Sequence, residues 1–238
     1  MRDAVKRLIA RGTRTTPGKH LLHAATRPEV RAERFPEVTP WPTEVGGFHD
    51  LAFLFTSSQL NHGVASLRFD EAAFLYGLVA SLGPGRMAEI GRFKGGSTFV
   101  TAAAKAPGAT LHSYDLHVGT DGAQLDRELA AALERYELTE GVHLLVGDSR
   151  TIELPDGPLD LLFVDGDHSY EGAAADLRRW SPLVGPGGHL VVHDAVDTNG
   201  YGNVYPGVQQ ALRELLAAGQ FDRLADAGTM AHLLRRAP

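Results

Sequence analysis

The sequence predicts an α/β fold with a doubly wound, mostly parallel sheet of seven strands that ends in an antiparallel hairpin. Two observations support this prediction. From about residue 70 onward, short apolar runs alternate with segments of helical periodicity, which is typical of a parallel sheet covered by helices. Near the end of the chain, two extended runs in residues 221–234 flank Gly228, which predicts an antiparallel hairpin.

The chain is expected to begin with an arm. Residues 1–47 are rich in proline, arginine and threonine, and the prolines are too frequent for a regular domain. Residues 48–55 are apolar enough to dock on another surface. A helix follows, with Asp70 as its predicted N-cap and Gly83 in its stop signal. We therefore divide the chain into an N-terminal arm with a cap or oligomerisation segment, residues 1–69, and a larger domain, residues 70–238.

Five apolar runs predict the parallel strands of the larger domain, and helical segments lie between them. The predicted strands are residues 87–90, 111–114, 142–146, 159–164 and 190–192. Leu125, Leu129 and Leu133 share one helical face between the second and third runs. Residues 170–180 repeat this pattern between the fourth and fifth runs. The alternation of strand and helix is regular up to the final hairpin.

Composition excludes several classes of protein. A chain of 238 residues with 43% hydrophobic residues can bury a core, and the absence of cysteine excludes disulfides and cysteine zinc sites. The net charge of −6 argues against a general nucleic-acid binder. No run is apolar enough to span a membrane, and the N-terminus lacks a signal-peptide core. We expect a soluble, cytoplasmic protein without nucleic-acid or membrane partners.

Charge is unevenly spread along the chain. Residues 1–34 hold nine Arg and Lys residues against three acids, so the remainder is strongly acidic. Such an arm could contact an anionic partner, or it could pack on an acidic face of its own or a neighbouring subunit. We expect a homo-oligomer.

A glycine-rich loop follows the first predicted strand. Glu89 ends that strand, and Gly91, Gly95 and Ser97 lead into a helix. Glycines at such a turn let a ligand approach the backbone, and the helix N-terminus favours an anionic group. The spacing is neither the dinucleotide fingerprint nor a P-loop. The loop therefore predicts a nucleotide-like ligand of another kind.

Polar residues also follow the next two strands. Asp115 comes after the second, where an acid can accept the hydroxyl hydrogens of a ribose. Asp148 and Ser149 come after the third, where short polar groups could meet an adenine edge. Each could instead be a helix cap. Together they indicate three successive strand ends along one crevice.

Acids and histidines follow the fourth and fifth strands. The fourth runs into Asp165, Asp167 and His168, and the fifth runs into His193 and Asp194. Since the carboxyl ends of parallel strands line one crevice, these groups are expected to face a common site. The residue types suit metal binding or proton transfer.

With these motifs in place, residues 70–238 resemble the class I S-adenosylmethionine-dependent methyltransferases. The closest likeness is to the metal-dependent O-methyltransferases, which include catechol-type enzymes and macrocin-type enzymes acting on sugar hydroxyls. The resemblance implies S-adenosylmethionine as cofactor and a divalent cation, magnesium first. The cofactor residues it implies are Glu89, Gly91, Phe93, Gly95 and Ser97 at the methionine portion, Asp115 at the ribose, and Asp148 and Ser149 at the adenine.

The same resemblance implies that Asp165, His193 and Asp194 hold the cation. His168 matches the position of a general base, and Asp167 is the reserve candidate. One residue departs from the pattern, because magnesium-binding relatives present an acid where this chain has His193, and hard cations prefer oxygen ligands. His193 could bind a softer ion. It could instead support the ligands without binding the ion, which fewer protein residues would then hold, or there could be no metal.

The predicted function is methyl transfer from S-adenosylmethionine to a hydroxyl of a small molecule. The first choice of acceptor is a sugar or a glycosylated natural product. The alternatives are a catechol or phenolic acceptor, a metal-dependent hydroxylase using Asp165, His168 and His193, or a non-enzymatic nucleotide-binding module. The long polar loop at residues 197–207 predicts a lid or acceptor-binding segment, in which Tyr201 and Tyr205 could stack on the acceptor.

Overall fold

The computed structural model describes residues 44–55, 65–117, 122–197 and 205–237. A seven-stranded sheet runs through these residues. Its strands are β1 (Arg86–Ile90), β2 (Thr110–Asp115), β3 (Val142–Val146), β4 (Leu159–Val164), β5 (Val184–Val192), β6 (Phe221–Arg223) and β7 (Ala231–Arg235). They lie in the order β3-β2-β1-β4-β5-β7-β6. The first five are parallel, and β7 is antiparallel to both β5 and β6, as the sequence predicts.

Within the described ranges, five α-helices and two 3₁₀ helices accompany the strands. The α-helices are α1 (Phe69–Ser81), α2 (Gly96–Ala104), α3 (Gly122–Arg135), α4 (Tyr170–Trp180) and α5 (Pro206–Ala217). The 3₁₀ helices are Phe48–Phe55 and Ser181–Leu183. No helix within the described ranges is long and apolar enough to cross a bilayer. Residues 1–43 of the predicted arm and residues 198–204 of the predicted lid, including Tyr201, lie outside the described residues.

The order of the strands creates a switch point beside β1. The chain builds β2 and β3 on one side of β1, and then returns to place β4 on the other side. Ile90 pairs with Val164, and Val164 pairs with Val192, so β1, β4 and β5 end level with one another. Ligands of open α/β sheets bind in the crevice at such a point. Gly91, Asp165 and His193, the next residues of the three strands, therefore meet there.

Two apolar cores cover the two faces of the sheet. Along β4, alternate residues point to opposite faces: Leu162 and Val164 join the core beneath α4 and α5, whereas Leu161 and Phe163 join the core beneath α1 and α2. Residues 48–55 dock on this second core, as their apolar sequence predicts, with Leu51 fully buried. Part of the predicted N-terminal segment therefore packs into the larger domain. The division at residue 70 stays a prediction.

Three differences from the expected boundaries have a physical cause in the structure. The prediction of Asp70 as N-cap was wrong, because α1 begins at Phe69 with Arg68 as N-cap, and Asp70 lies in the first turn, where its charge suits the helix dipole. β5 begins at Val184 rather than residue 190, because Val184 pairs with Leu159 of β4 and the strand continues through a register shift at its glycines. β6 ends early at Arg223, whose side chain pairs with Asp226 at 2.8 Å in the turn.

Candidate active site

A cavity of about 1260 Å³ opens at the carboxyl ends of the parallel strands. The glycine loop and the ends of β2 and β3 form one half of its wall, and the ends of β4 and β5 form the other. The predicted site residues that line it are Gly91, Phe93, Ser97, Asp115, Asp148, Ser149, Asp165, Asp167, His168, His193 and Asp194. Glu89 and Gly95 are not part of this lining. The structure thus brings eleven of the thirteen predicted residues to one cavity.

Gly91 allows the ends of β1 and β4 to approach closely. Its φ is +89°, and a Cβ there would lie 2.0 Å from the carbonyl oxygen of Asp165. Gly95, with φ of +84°, is the N-cap of α2, and a Cβ there would overlap the side chain of Leu129. Only glycine fits both the backbone angle and the space at these two positions. The glycines predicted from the loop pattern therefore have a steric cause in the fold.

Glu89 lies beneath the glycine loop and holds it together. Its carboxylate is buried and accepts hydrogen bonds from the hydroxyls of Ser97, Thr98 (2.5 Å) and Ser113 (2.6 Å). Burial raises the pKa of Glu89, against the effect of the hydroxyl donors. These bonds join β1, α2 and β2 directly under the loop. Glu89 therefore acts on the cavity through the backbone it supports.

Asp115 is held by backbone donors at the rim of the cavity. Its Oδ2 accepts the N–H groups of Arg92 and Phe93, both at 2.8 Å, and its Oδ1 accepts the N–H of His117 at 2.6 Å. Burial by itself raises the pKa of Asp115, but the three donors lower it overall. The carboxylate is therefore ionised, and Oδ1 keeps acceptor capacity for a ligand hydroxyl.

Arg92 is a residue of this site that sequence reasoning missed. Its guanidinium is fully buried, pairs with Asp126 at 2.7 Å and donates to the carbonyl oxygen of Ser113 at 2.5 Å. A buried arginine needs such partners, because an unpaired charge out of water is costly. The glycine loop is therefore tied to α3 and β2. An arginine inside a loop motif offers no signal of burial, since arginines are mostly exposed.

The polar residues after β3 have specific partners. Ser149 donates its hydroxyl to Asp176 at 2.5 Å, and its carbonyl oxygen accepts the indole N–H of Trp180 at 2.9 Å. Burial raises the pKa of Asp176. The exposed side chain of Arg150 pairs with Asp148 at 2.6 Å. The end of β3 is thus anchored to α4, and its polar atoms border the cavity.

The acid and histidine groups at the ends of β4 and β5 form one cluster. Asp165, His168, His193 and Asp194 each place one nitrogen or oxygen ligand atom within 4.8 Å of the others. Asp194 adopts φ of +53°, an angle that non-glycine residues rarely adopt. Strain of this kind persists where the surrounding structure enforces it, often at functional sites.

His168 lies between two carboxylates on the cavity side of the cluster. Its Nε2 is 3.3 Å from Asp165 and 3.2 Å from Asp194, but neither contact has the alignment of a hydrogen bond, and this buried nitrogen has no other partner among the described residues. The adjacent carboxylates of Asp165 and Asp194 raise the pKa of His168 to about 9. The ring of Tyr205 stacks on the other side of His168.

Asp167, the reserve candidate for base, accepts the N–H of Ser169 in its own turn at 2.9 Å.

His193 is enclosed more completely. Its Nδ1 is 3.1 Å from Asp165 and 3.5 Å from Asp194, and its Nε2 is 3.3 Å from Glu71. Burial opposes a charged ring, but the three carboxylates outweigh burial and raise the pKa of His193. Both ring nitrogens therefore face acceptors. Because a lone pair cannot face a carboxylate oxygen without repulsion, either a proton or a cation has to lie between Nδ1 and the two aspartates.

Glu71 on α1 is the second residue that sequence reasoning missed. Its carboxylate is buried, with 1% of its surface exposed. The helical pattern contained a signal for it, because Glu71 shares its face with the buried Leu75 and Val79. An acid on the apolar face of a helix requires a buried partner. The partner, His193, follows 122 positions later, so local sequence could not identify it.

The cluster fits a divalent cation. Two carboxylate oxygens and two imidazole nitrogens converge, and the nitrogen of His168 without a partner faces the same space. Such a mixed donor set suits Fe²⁺ or Zn²⁺, and also Mn²⁺, which accepts nitrogen ligands more readily than Mg²⁺ does, better than it suits Mg²⁺, which prefers oxygen ligands. This donor set is the chemical consequence of a histidine at position 193.

The sheet order, the final hairpin and the cavity at the switch point define a class I, Rossmann-like methyltransferase fold. Residues 88–195 match the family model described as a methyltransferase domain. This match and the fold agree with the family resemblance seen in the motifs.

Solved structures with this fold include bound forms. An O-methyltransferase from Bacillus cereus in complex with SAH has a TM-score of 0.57 at 17% identity, covering 72% of this chain and 83% of that chain. TomG from Streptomyces achromogenes, an O-methyltransferase involved in tomaymycin synthesis and bound to SAM, has a TM-score of 0.55 at 21% identity, covering 74% and 83%. SAH-bound PaMTH1 of Podospora anserina has a TM-score of 0.56 at 20% identity, covering 74% and 81%.

Two curated relatives are uncharacterised. One, from Sinorhizobium fredii, is 28% identical over 52% of this chain, and the other, from Acanthamoeba polyphaga mimivirus, is 29% identical over 36% of this chain. The matched segments span only 15% and 36% of the lengths of those relatives.

Proposed function

We propose that this chain transfers a methyl group from S-adenosylmethionine to a hydroxyl of a small molecule, with a divalent cation and His168 as general base. One observation carries the proposal. The glycine loop with Asp115 and the cluster around Asp165 border the same cavity, which is larger than the roughly 300–1,000 Å³ of most small-molecule sites. A cofactor and an acceptor can therefore lie side by side.

The half of the cavity beside β1, β2 and β3 is suited to the cofactor. The backbone at Gly91 is open to the methionine portion, and Asp115 offers an ionised acceptor to the ribose hydroxyls. Asp148 and Ser149 border the space assigned to the adenine. When bound, the cofactor supplies a sulfonium-activated methyl group. The role of the loop is to fix its orientation, because in-line transfer depends on alignment.

The half beside β4 and β5 is suited to activating the acceptor. Asp165, His193 and Asp194 would hold the cation, which lowers the pKa of a bound hydroxyl. We assign the base role to His168 rather than a ligand role because its side chain is 33% exposed and borders the cavity, whereas that of His193 is 9% exposed. The cation would offset the charges of Asp165 and Asp194, the two carboxylates that raise the pKa of His168, so a neutral His168 would be available to receive the hydroxyl proton.

The acceptor class in this proposal is a sugar or a glycosylated natural product, with catechols and other phenols as the second choice. The support is the combination of the glycine loop with the two acid and histidine strand ends, which resembles that of macrocin-type enzymes.

We also propose a homo-oligomer. Phe69 keeps 60% of its surface exposed beside Phe48 and Phe55, which offers an apolar contact next to the N-terminal segment.

The test is incubation of the full chain with S-adenosylmethionine labelled in the methyl group and a panel of sugars, glycosides and phenols. Each reaction is run with chelator, and with chelator followed by excess Mn²⁺ or Mg²⁺. We expect label in a hydroxyl acceptor, loss of transfer with chelator, and better recovery with Mn²⁺ than with Mg²⁺. Label transfer that persists in chelator would contradict the cation, and absence of cofactor binding would contradict the whole proposal.

A matched pair of variants separates cofactor binding from general effects. Asp115→Asn replaces an acceptor oxygen by an N–H₂ group facing backbone donors, so S-adenosylmethionine affinity is expected to fall at least about tenfold. Asp156→Asn, on an exposed loop before β4, is the control and should bind the cofactor normally.

The rival functions predict different results in the same assay. A hydroxylase would consume O₂ without transferring label, and a binding module would bind cofactor without turnover.

A further inference from the structure

The carboxylate of Glu71 is held in place independently of the active site. Its Oε1 accepts the backbone N–H of Thr229 at 2.7 Å and the hydroxyl of Thr229 at 2.8 Å, and its Oε2 accepts the N–H of Arg68 at 2.8 Å. A Cβ at Gly228 would lie 2.5 Å from Oε1, so the turn between β6 and β7 closes tightly on the carboxylate. Glu71 is therefore a fixed, acceptor-only group at the back of the cluster.

This fixed acceptor gives Nε2 of His193 a partner for its hydrogen. Nε2 lies 3.3 Å from Oε2 of Glu71, so when a cation occupies the space beside Nδ1, Nε2 is the nitrogen that donates. A neutral imidazole has one N–H and one lone pair, and the lone pair is then on Nδ1. Nδ1 is the atom that faces Asp165 at 3.1 Å and Asp194 at 3.5 Å. The contact with Glu71 thus presents a lone pair to the space between the two aspartates.

The arrangement matches a general feature of metal sites. A ligating histidine almost always donates its other N–H to a carboxylate or carbonyl, which fixes the tautomer and raises the basicity of the ligating nitrogen. His193 meets this requirement through Glu71, a residue of α1 outside the residues 88–195 that match the family model. The histidine that departs from the expected acidic ligand therefore has its own supporting residue.

We infer that Glu71 is a positioning residue, which fixes His193 as the Nε2–H tautomer and directs its Nδ1 at a divalent cation held with Asp165 and Asp194. This inference rests on the cation of the proposed function. Because Zn²⁺, and to a lesser degree Mn²⁺, accepts imidazole nitrogen more readily than Mg²⁺ does, the supported histidine also favours these two ions over Mg²⁺ at this site.

The test compares Glu71→Gln with Asp70→Asn, an exposed control one residue away whose carboxylate pairs only at the surface with Arg68. In Glu71→Gln, the amide N–H₂ can face Nε2 of His193, which moves the ring hydrogen to Nδ1. We expect Mn²⁺ affinity by calorimetry to fall roughly 10- to 100-fold. S-adenosylmethionine affinity is expected to stay unchanged, and Asp70→Asn to bind both normally.

The second readout is the tautomer itself, observed by long-range ¹H–¹⁵N NMR of the histidine side chains with His193→Gln for assignment. We expect wild-type His193 loaded with Zn²⁺ to keep hydrogen on Nε2 alone. Hydrogen on Nδ1 would overturn the inference, and this measurement decides the matter even if Glu71→Gln does not fold. Equal Mn²⁺ affinity in wild type and Glu71→Gln, or no Mn²⁺ binding to wild type, would also overturn it. Label transfer is measured separately, so these results do not decide whether the protein is a methyltransferase.

Discussion

The ring of Tyr205 stacks on the imidazole of His168, with centroids 4.1 Å apart and planes inclined by 24°. Tyr205 is the N-cap of α5 and follows the part of the predicted lid that lies outside the described residues. The start of α5 is packed tightly, because a Cβ at Gly207 would lie 2.4 Å from the backbone nitrogen of Tyr170. A rigid helix start therefore holds Tyr205 against the proposed base.

Replacement of Tyr205 by Ala should slow methyl transfer by roughly 2- to 10-fold, since an aromatic pair contributes about 0.5–1.5 kcal/mol. The physical reason is that the His168 ring loses the contact that limits its rotation. Tyr205→Phe keeps the stack and is expected to remain within about twofold of wild type, which steady-state kinetics on one acceptor can measure. A loss in Tyr205→Phe equal to that in Tyr205→Ala would show that the hydroxyl, rather than the stack, is required.

The base itself is tested by His168→Gln. A glutamine retains polarity but cannot take up the acceptor proton, and general bases contribute about 10²- to 10⁴-fold. We expect a loss of this size in kcat, with cofactor affinity unchanged by calorimetry. The matched control is His143→Gln, because His143 is an exposed residue of β3 that does not line the cavity. Full activity in His168→Gln would move the base role to Asp167 or to water.

Two glycine substitutions should change stability in opposite directions. Gly91→Ala combines a φ of +89° with a Cβ 2.0 Å from a backbone oxygen, so we expect a loss of about 3 kcal/mol or more in the free energy of unfolding. Gly77→Ala lies inside α1, has no neighbour within 4 Å of the added Cβ, and should gain about 0.5–1 kcal/mol. Urea denaturation of both variants checks the pair, and a tolerated Gly91→Ala would mean that the strand ends can separate.

His232 gives the fold a sensitivity to acid. Its Nε2 lies 2.9 Å from Nδ1 of His189, and its ring packs edge-on against Phe74. Burial and the neighbouring His189 lower the pKa of His232 to about 4, although Asp226 acts in the opposite direction. The unfolded chain titrates near pH 6.5 and so binds more protons than the folded chain between pH 6.5 and 4. The stability contribution of neutral His232 is complete above pH 6.5 and is lost as the pH falls towards 4.

We therefore expect the midpoint of urea denaturation to fall between pH 7.5 and 5, and to fall less steeply in His232→Gln. Glutamine can hydrogen-bond to His189 but has no proton to gain in this range. The difference between the two slopes isolates His232 from the carboxylates, which titrate in both proteins. Parallel slopes would show that His232 does not carry the acid sensitivity.

Most of the architecture follows from local patterns. The strands β3 and β4 begin and end where the apolar runs do, and α4 covers the predicted residues, because period-two and helical alternation are properties of short segments. The predicted start of β5 was wrong, because local propensity ends the strand at the glycines whereas Val184 beyond them still pairs with β4. The residues that line the cavity could also be predicted from the sequence, because parallel strands place the residues that follow them at one edge of the sheet.

The sequence by itself thus determined the fold class, the glycine loop, and the acids and histidines that follow β4 and β5. Tertiary structure alone decided that Arg92 is buried against Asp126 and that Glu71 holds Nε2 of His193. The physical reason is that alternation of apolar and polar residues is set by the periodicity of one segment. The position of a buried charge depends instead on which partner the fold brings to it, and Glu71 and His193 meet only after α1 and β5 have packed together.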